Sequence, residues 1–317
     1  MKALCFDDDL ALRDVDPPAP GPNEATIRVR MAGICNTDVE IARGYMGHRG
    51  VLGHEFVGRV EAAPDPAWVG KRVCGEINLA CGACDACRRG LGRHCPTRRV
   101  LGILGKDGCF AEQLTLPLAN LHEVPDVLSD ELAVFAEPLA AAHEVLQQIA
   151  VDPDARVLVL GDGKLGLLLT AVLLQTGAEV TLVGKHDDKL ALAQRRGAQT
   201  CTPDSLDGTG FDVVVEATGS PRGLALALDR IRPRGTLVLK STFHGAPEVD
   251  TARIVIDEIR IVGSRCGPFP PALRALAQHR IDPGDLVSAV RPLSDAVAAF
   301  EHAQAPGVLK VLLDMRA

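Results

Sequence analysis

Val157-Leu158-Val159-Leu160-Gly161-Asp162-Gly163-Lys164-Leu165-Gly166, near the middle of the 317-residue chain, is the stretch whose reading decides the fold. Four β-type apolar residues run into G-x-G-x-x-G, and an unbroken helical stretch from Leu167 to Thr176 follows before Gly177. A dinucleotide site needs that order. Gly161 permits the tight strand-to-helix turn, Gly163 lets backbone approach a pyrophosphate, and Gly166 lets helix and strand pack closely. The helix N-terminus, at Lys164 and Leu165, then offers N–H groups and partial positive charge to the phosphates. A glycine-rich loop between two core elements is the competing reading, and the strand–turn–helix context weighs against it.

Working outward from this turn, the chain alternates strand and helix from Arg156 onward. Strands are expected at 156–160, 179–183, 212–216, 236–240 and 259–263. Helices are expected at 164–176, at 187–196 with Asp187 as N-cap and Gly197 just past the end, and at 221–230. Such alternation predicts a parallel, doubly wound sheet. Residues 1–33 are β-rich instead: Lys2–Phe6 and Glu24–Ala32 read as strands, the second alternating Ala25, Ile27, Val29, Met31 against Thr26, Arg28, Arg30. Between them, Asp16-Pro17-Pro18-Ala19-Pro20-Gly21-Pro22 is an extended surface loop. Residues 131–150 form a long alanine-rich helical stretch interrupted by Pro138. After Gly263 come a helix near 270–279, a helix near 294–304 capped by Ser294, and a strand at 309–314. That tail is too short for its own core and is expected to pack back on the N-terminal part.

Composition narrows the function. The chain is 47% hydrophobic and 24% charged, with a formal charge of −7 and no lysine or arginine run, which disfavours a nucleic-acid partner. The N-terminus turns acidic at Asp7-Asp8-Asp9, so no secretory signal is read there. No stretch reaches the ~18–20 apolar residues of a membrane span. Ten cysteines without an export signal point to thiolate chemistry or metal rather than disulfides, and to the cytoplasm.

Cys81-Gly82-Ala83-Cys84-Asp85-Ala86-Cys87, followed after seven residues by Cys95, is the strongest chemical signal. Four thiolates can close a tetrahedron around one zinc and leave no open position, which makes a structural site. An iron–sulfur cluster competes, because Cys95-Pro96 resembles the end of the ferredoxin run, yet the last spacing is seven rather than three. A second constellation joins Cys35, in Gly33-Ile34-Cys35-Asn36-Thr37-Asp38, to His54, in Gly53-His54-Glu55. One thiolate, one imidazole and one further ligand make a three-ligand zinc site open to substrate. Glu137, in Phe135-Ala136-Glu137-Pro138-Leu139, is a candidate third ligand, and a helix-start carboxylate is its bland alternative.

Taken in order, G-x-C-x-T-D, G-H-E-x-x-G, the four-cysteine lobe, E-P-L and the nucleotide turn resemble the zinc-dependent medium-chain dehydrogenase family. The match spans essentially the whole chain. The resemblance implies an α/β chain: a GroES-like β-rich catalytic domain (1–140 and 267–317, with the zinc lobe at 81–95) and a Rossmann domain (141–266). It implies two zinc ions, one structural and one catalytic, the latter on Cys35, His54 and Glu137, with Glu55 able to exchange into the shell. Asp38 would orient His54, and Thr37 would pass the substrate proton onward. The glutamate of E-P-L is closer to the polyol and threonine branches. Many members carry a histidine five residues after the cysteine ligand to end the proton relay; here Glu40 stands there, and either it takes the role or protons leave elsewhere.

The coenzyme reading departs from the NAD pattern. An NAD enzyme carries an acid at the end of the second strand, about 20 residues past the glycines, whereas this strand ends in Gly184-Lys185-His186. Positive charge without a carboxylate favours NADP, unless Asp187 or Asp188 reaches the ribose. Ala217-Thr218-Gly219 and Lys240-Ser241, at further strand ends, would flank the nicotinamide, and Arg265 would contact a cofactor phosphate or polar substrate. The expected reaction interconverts a polyhydroxylated secondary alcohol and a ketone by hydride transfer. The alternatives are an aldehyde or enone reductase of the same fold, and a non-catalytic nucleotide-binding regulator or lens-type structural protein on this scaffold. The loop 41–49 is expected to line the substrate pocket. A homodimer or homotetramer is expected, joined near Ile259–Val262.

Overall fold

Every second residue of Glu24–Gly33 (β1) is apolar, and Ala25, Ile27, Val29 and Met31 are buried while Arg28 is exposed. A strand with one face in a core results. In the computed structural model, which describes residues 1–242 and 247–317, β1 is the spine of a seven-stranded sheet. Glu55–Ala62 (β2) pairs antiparallel along one side of it, the C-terminal strand Lys310–Asp314 meets its end on the other, and Gln113–Pro117 runs along its first half. The register sets Gly33 between Leu312 and Glu55. The tail thus packs back on the N-terminal part, as its length requires. Between β1 and β2 the chain forms the helix Asn36–Ala42 (α1). These elements belong to a unit made of Met1–Glu137 and Phe269–Ala317.

The second unit, Pro138–Pro268, holds the alternating segment. Its elements are β3 (Arg156–Leu160), α2 (Lys164–Leu174), β4 (Glu179–Val183), α3 (Asp187–Arg195), β5 (Gln199–Cys201), β6 (Phe211–Glu216), α4 (Pro221–Arg230), β7 (Ile231–Leu239) and β8 (Arg260–Gly263). The sheet is parallel throughout, in the order β5-β4-β3-β6-β7-β8. From β3 the chain fills one side, then returns to fill the other, so the direction reverses between β3 and β6. Ligands of open α/β sheets bind outside the carboxyl ends of strands at such a point. Leu158, Leu160, Val214, Leu224 and Leu237 are buried in the core on which α4 packs. Each such side chain contributes about 1.5–3 kcal/mol by leaving water.

Four local expectations need correction. The stretch 131–150 breaks into Asp130–Ala133 and Ala136–Gln148, so the interruption falls before Ala136. Pro138 lies in the first turn of the second helix, where a missing N–H goes unused. Asp187 is the first helical residue of α3 and His186 the N-cap. Ser294 lies within a 3₁₀ turn, Leu293–Asp295, and the helix that follows runs Ala296–His302. β5 is an additional short edge strand, whose Gln199-Thr200-Cys201 carries too little apolar pattern to announce it. Cys5, Cys74 and Cys109 are buried, and Cys201 is half-buried against the sheet core. Among the described residues no helix is long and apolar enough to cross a membrane.

Candidate active site

The nucleotide turn closes for reasons visible atom by atom. Gly161 adopts φ +110°, a conformation that side chains disfavour, and a Cβ there would meet the Ala217 carbonyl oxygen at 2.7 Å. At Gly166 a Cβ would fall 1.8 Å from the Gly161 oxygen, so the first turn of α2 packs directly on the strand end. Gly163 has open space where its side chain would be, and as the N-cap of α2 it supplies no capping side chain. Lys164 and Leu165 begin the helix, whose first N–H groups form an anion-binding end.

Asp162 does something the sequence did not announce. Its Oδ2 accepts from the backbone N–H groups of Lys185 and His186, at 2.7 and 2.8 Å, and lies 2.9 Å from His186 Nδ1. Burial opposes ionisation, yet these bonds, His186 foremost, hold the carboxyl below its usual range. Gly184 is required by this arrangement, since a Cβ there would lie 2.4 Å from the Asp162 Cβ. The cationic pair expected at the strand end is therefore tied back to the glycine turn. At the ends of β6 and β7, Glu216 is a buried acid missed from sequence. It accepts from the Thr218 N–H at 2.7 Å and from the Thr218 and Ser241 hydroxyls, while Ser241 Oγ accepts from the Gly219 N–H at 2.9 Å. Lys240 donates to Ser264 Oγ at 3.1 Å and to the Arg265 carbonyl. Thr218, Ser241 and Lys240 thus fasten the loops at the strand ends, beside Ala217 and the exposed Arg265. The acid followed by hydroxyls, Glu216-Ala217-Thr218, was the available signal.

In the other unit, ligand atoms of Cys35, His54 and Glu55 all lie within 4.8 Å of one another. Cys35 caps α1 and His54 immediately precedes β2, so the pairing of β1 with β2 brings them together. The fully buried Asp38 binds both ends: Oδ2 accepts from the Cys35 N–H at 2.8 Å, and Oδ1 lies 3.0 Å from His54 Nδ1. Burial would depress the His54 pKa, but the Asp38 carboxylate outweighs it and raises it well above the usual value. With Nδ1 occupied, Nε2 is the nitrogen left for a metal. Thr37 Oγ1 lies 3.8 Å from the Cys35 sulfur. Glu137 stands outside this trio but within electrostatic range of His54, Glu55 and Lys310; burial pushes its carboxyl up to about 7. Glu40 pairs with Arg43 at 2.9 Å. From the loop 41–49, Met46, Gly47, His48 and Arg49 line an open hollow of about 310 Å³, opposite Leu104, Gly105, Lys106 and Asp107.

Lys310 is the main residue that sequence reading missed. From the C-terminal strand its ammonium hydrogen-bonds Glu55 Oε2, and both side chains are 1% exposed. One signal existed: a single lysine inside the apolar run Val308-Leu309-Lys310-Val311-Leu312.

The four cysteines Cys81, Cys84, Cys87 and Cys95 also form a group within 4.8 Å. Their sulfur separations include 3.4, 3.8 and 3.9 Å, near the ~3.8 Å edge of a tetrahedron with metal–sulfur bonds of about 2.3 Å. The N–H groups of Ala83 and Cys84 hold the Cys81 thiol down at about 6, whereas desolvation and the neighbouring thiols push Cys87 up to about 11. Both donor sets therefore suit zinc: one closed and all-thiolate, one mixed with room for a further ligand.

Comparison with known proteins agrees with this geometry. Residues 21–126 match the alcohol dehydrogenase GroES-like domain and residues 165–279 the zinc-binding dehydrogenase domain. The L-threonine 3-dehydrogenase of Pyrococcus horikoshii is 33% identical over 266 residues, covering 77% of this chain and 76% of its own. The D-arabitol-phosphate dehydrogenase of Enterococcus avium is 29% identical over 332 residues, covering 97% and 94%. Among solved structures, a zinc-binding dehydrogenase of Sinorhizobium meliloti bound to NADP superposes with a TM-score of 0.92 at 28% identity, covering 99% and 98% of the two chains. An alcohol dehydrogenase of Escherichia coli complexed with NADH gives 0.93 at 27%, covering 99% of each. The chain belongs to the zinc-dependent medium-chain dehydrogenase family and is an alcohol dehydrogenase-like oxidoreductase. Its fold is the GroES-like and Rossmann pair, and zinc and a nicotinamide coenzyme belong to its chemistry.

Proposed function

We propose that this enzyme interconverts a polyhydroxylated secondary alcohol and its ketone by hydride transfer to a nicotinamide coenzyme, with NADP preferred to NAD. The convergence of Cys35, His54 and Glu55, backed by Asp38, carries the reading. A non-catalytic scaffold has no use for an open, buried donor set of this kind. Cys35, His54 and Glu137 would hold the catalytic zinc, with Glu55 in reserve, and the cysteine lobe a second zinc. When bound, the catalytic ion supplies Lewis acidity toward the substrate oxygen.

The chain's own residues do the rest. Asp38 fixes the His54 ring and the Cys35 backbone. Thr37 holds the hydroxyl proton and passes it on. Glu40, three residues along α1 and therefore on the same face, receives it at the half-exposed surface beside Arg43. The Gly161–Gly166 turn orients the coenzyme, whose chemistry then carries the hydride. Lys185 supports the NADP preference, because the last residues of β4 include no acid; the one carboxylate there, Asp162, is taken up by the Lys185 and His186 N–H groups and the His186 ring. We also propose a homodimer or homotetramer joined through edge strand β8, where Ile261 is 40% exposed, and the helix Thr251–Ile256 just before it, where Val255 and Ile256 are 75% and 78% exposed. Ten cysteines without a disulfide support a cytoplasmic setting.

The test is reduction of NADP and NAD, side by side, over polyols, sugars, amino alcohols and simple secondary alcohols, with zinc counted per chain. Turnover that is lost on chelation, in protein with two zincs, supports the reading. One zinc and no turnover would reduce the chain to a scaffold. Tighter binding of NADH than NADPH would overturn the coenzyme preference.

A further inference from the structure

We propose that Asp162 is a positioning residue that clamps the loop after β4 to the glycine turn, and that with Gly184 it biases the site toward a coenzyme bearing a 2′-phosphate. The inference rests on the NADP reading proposed above. Two loops meet here, the turn 161–166 and the segment 184–186 that joins β4 to α3. Backbone closes their base, since the Gly161 N–H donates to the Val183 carbonyl at 2.9 Å. One carboxylate oxygen closes their tips. Asp162 Oδ2 takes the N–H groups of Lys185 and His186 at 2.7 and 2.8 Å and lies 2.9 Å from His186 Nδ1.

The loop has no such brace of its own. Gly184 brings no side chain, and His186, the N-cap of α3, makes no side-chain cap hydrogen bond. The acid also excludes a second one. A Cβ on Gly184 would stand 2.4 Å from Asp162 Cβ and 2.5 Å from its Oδ2, so position 184 can carry a side chain only if Asp162 gives way. An acid at the end of the second strand is what binds the ribose hydroxyls of NAD. Here that volume belongs to a carboxylate reaching in from the glycine turn, whose engaged oxygen is spent on three groups of the loop. The Asp162 side chain is 11% exposed against 47% for His186, so the loop presents to solvent the ring and the exposed Lys185 rather than the acid. Asp187 and Asp188, exposed in the first turn of α3, add negative charge. The preference therefore depends on where Lys185 and His186 are held, not on net charge.

Nucleotide affinity of the full-length protein tests this without turnover. Fluorescence of the reduced nicotinamide reports NADPH and NADH, and competition by 2′,5′-ADP and 5′-AMP isolates the adenosine end. D162N keeps the shape but loses the charge that gathers the three groups. NADPH affinity should fall about tenfold or more, as for loss of charge-assisted phosphate contacts. NADH affinity should change less than about threefold, and the preference for 2′,5′-ADP over 5′-AMP should shrink in step. G184A opens the clamp without touching the carboxylate, and its backbone lies outside the left-handed region, so alanine is accepted there. It should reproduce the loss, and this arm stands even if D162N fails to fold. In D162G, where the space is vacated, adding G184A should change the preference less than about twofold. A merely structural clamp would weaken both coenzymes alike. Equal losses for both, a preference kept or raised in folded D162N and G184A, or a full further loss from G184A within D162G would each overturn the inference. Wild-type protein binding NADH and 5′-AMP more tightly than NADPH and 2′,5′-ADP would overturn the coenzyme reading beneath it.

Discussion

Replacing Asp38 by asparagine isolates the contribution of one buried carboxylate to the metal site. Asp38 is completely buried and takes one hydrogen bond on each oxygen, from the Cys35 N–H and from His54. Asparagine has the same shape but one oxygen and one NH₂ group. Whichever way it turns, one of the two donors faces another donor. A buried donor left unpaired costs about 1–3 kcal/mol. An independent route gives the same size: losing the group that orients a metal-bound histidine lowers metal affinity about 10–100-fold, which is about 1.4–2.8 kcal/mol at 1.4 per tenfold. Competition with a chromophoric chelator measures the effect, and zinc in the cysteine lobe serves as internal control. The expected titration shows one zinc weakened 10–100-fold and the other unchanged. Wild-type affinity for both ions in folded D38N would refute the reasoning, because it would mean His54 is held by something other than Asp38.

The same structure sets three further outcomes. G166A sets a methyl 1.8 Å from the Gly161 carbonyl, backbone against backbone, so the turn must open and NADPH affinity, read by fluorescence, should fall at least about tenfold; native affinity would remove the close-packing role. C84S should reduce the metal count by one and lower Tm, with the Cys35 site still loaded; an unchanged count would show that Cys84 is not needed to hold the lobe's metal. D130A removes the shared partner of Arg30, Arg72 and Arg316 and should cost about 3 kcal/mol, a drop in Tm of roughly 6–12 °C, while nucleotide affinity is kept. A shift of under about 2 °C would show that these pairs are solvent-screened.

The elements written in local spacing were the legible ones. G-x-G-x-x-G, the cysteine quartet and the alternation of β1 each need only neighbouring residues to be recognised, and the parallel sheet follows from strand–helix rhythm. Side chains whose meaning depends on register were not legible. Lys310 reads as an oddity in an apolar strand until the pairing through Gly33 brings it to Glu55, 255 positions away. Asp162 reads as the variable residue of a glycine motif, yet its carboxylate binds the end of β4. Glu216 reads as a strand-end acid until Thr218 and Ser241 converge on it. Capping errors at Asp187 and Ser294 arise because several polar residues compete for one helix start. Neither start carries a side-chain cap hydrogen bond, so the path of the incoming chain decides which residue stands there.

The discontinuity of the first unit has a consequence for the order of events during synthesis. Pro138–Pro268 is one uninterrupted segment and can assemble its parallel sheet as soon as it has emerged. The metal-site unit cannot, because its β-spine lacks the strand Lys310–Asp314 until the whole nucleotide unit has passed. Closing so long a loop is slow rather than prohibitive, since its entropy cost grows only logarithmically with length. An early translational stop or a C-terminal proteolytic cut should therefore leave a product that still engages nucleotide but carries an unbalanced buried carboxylate at Glu55. Quality-control machinery would meet a half-enzyme able to sequester coenzyme without turning it over.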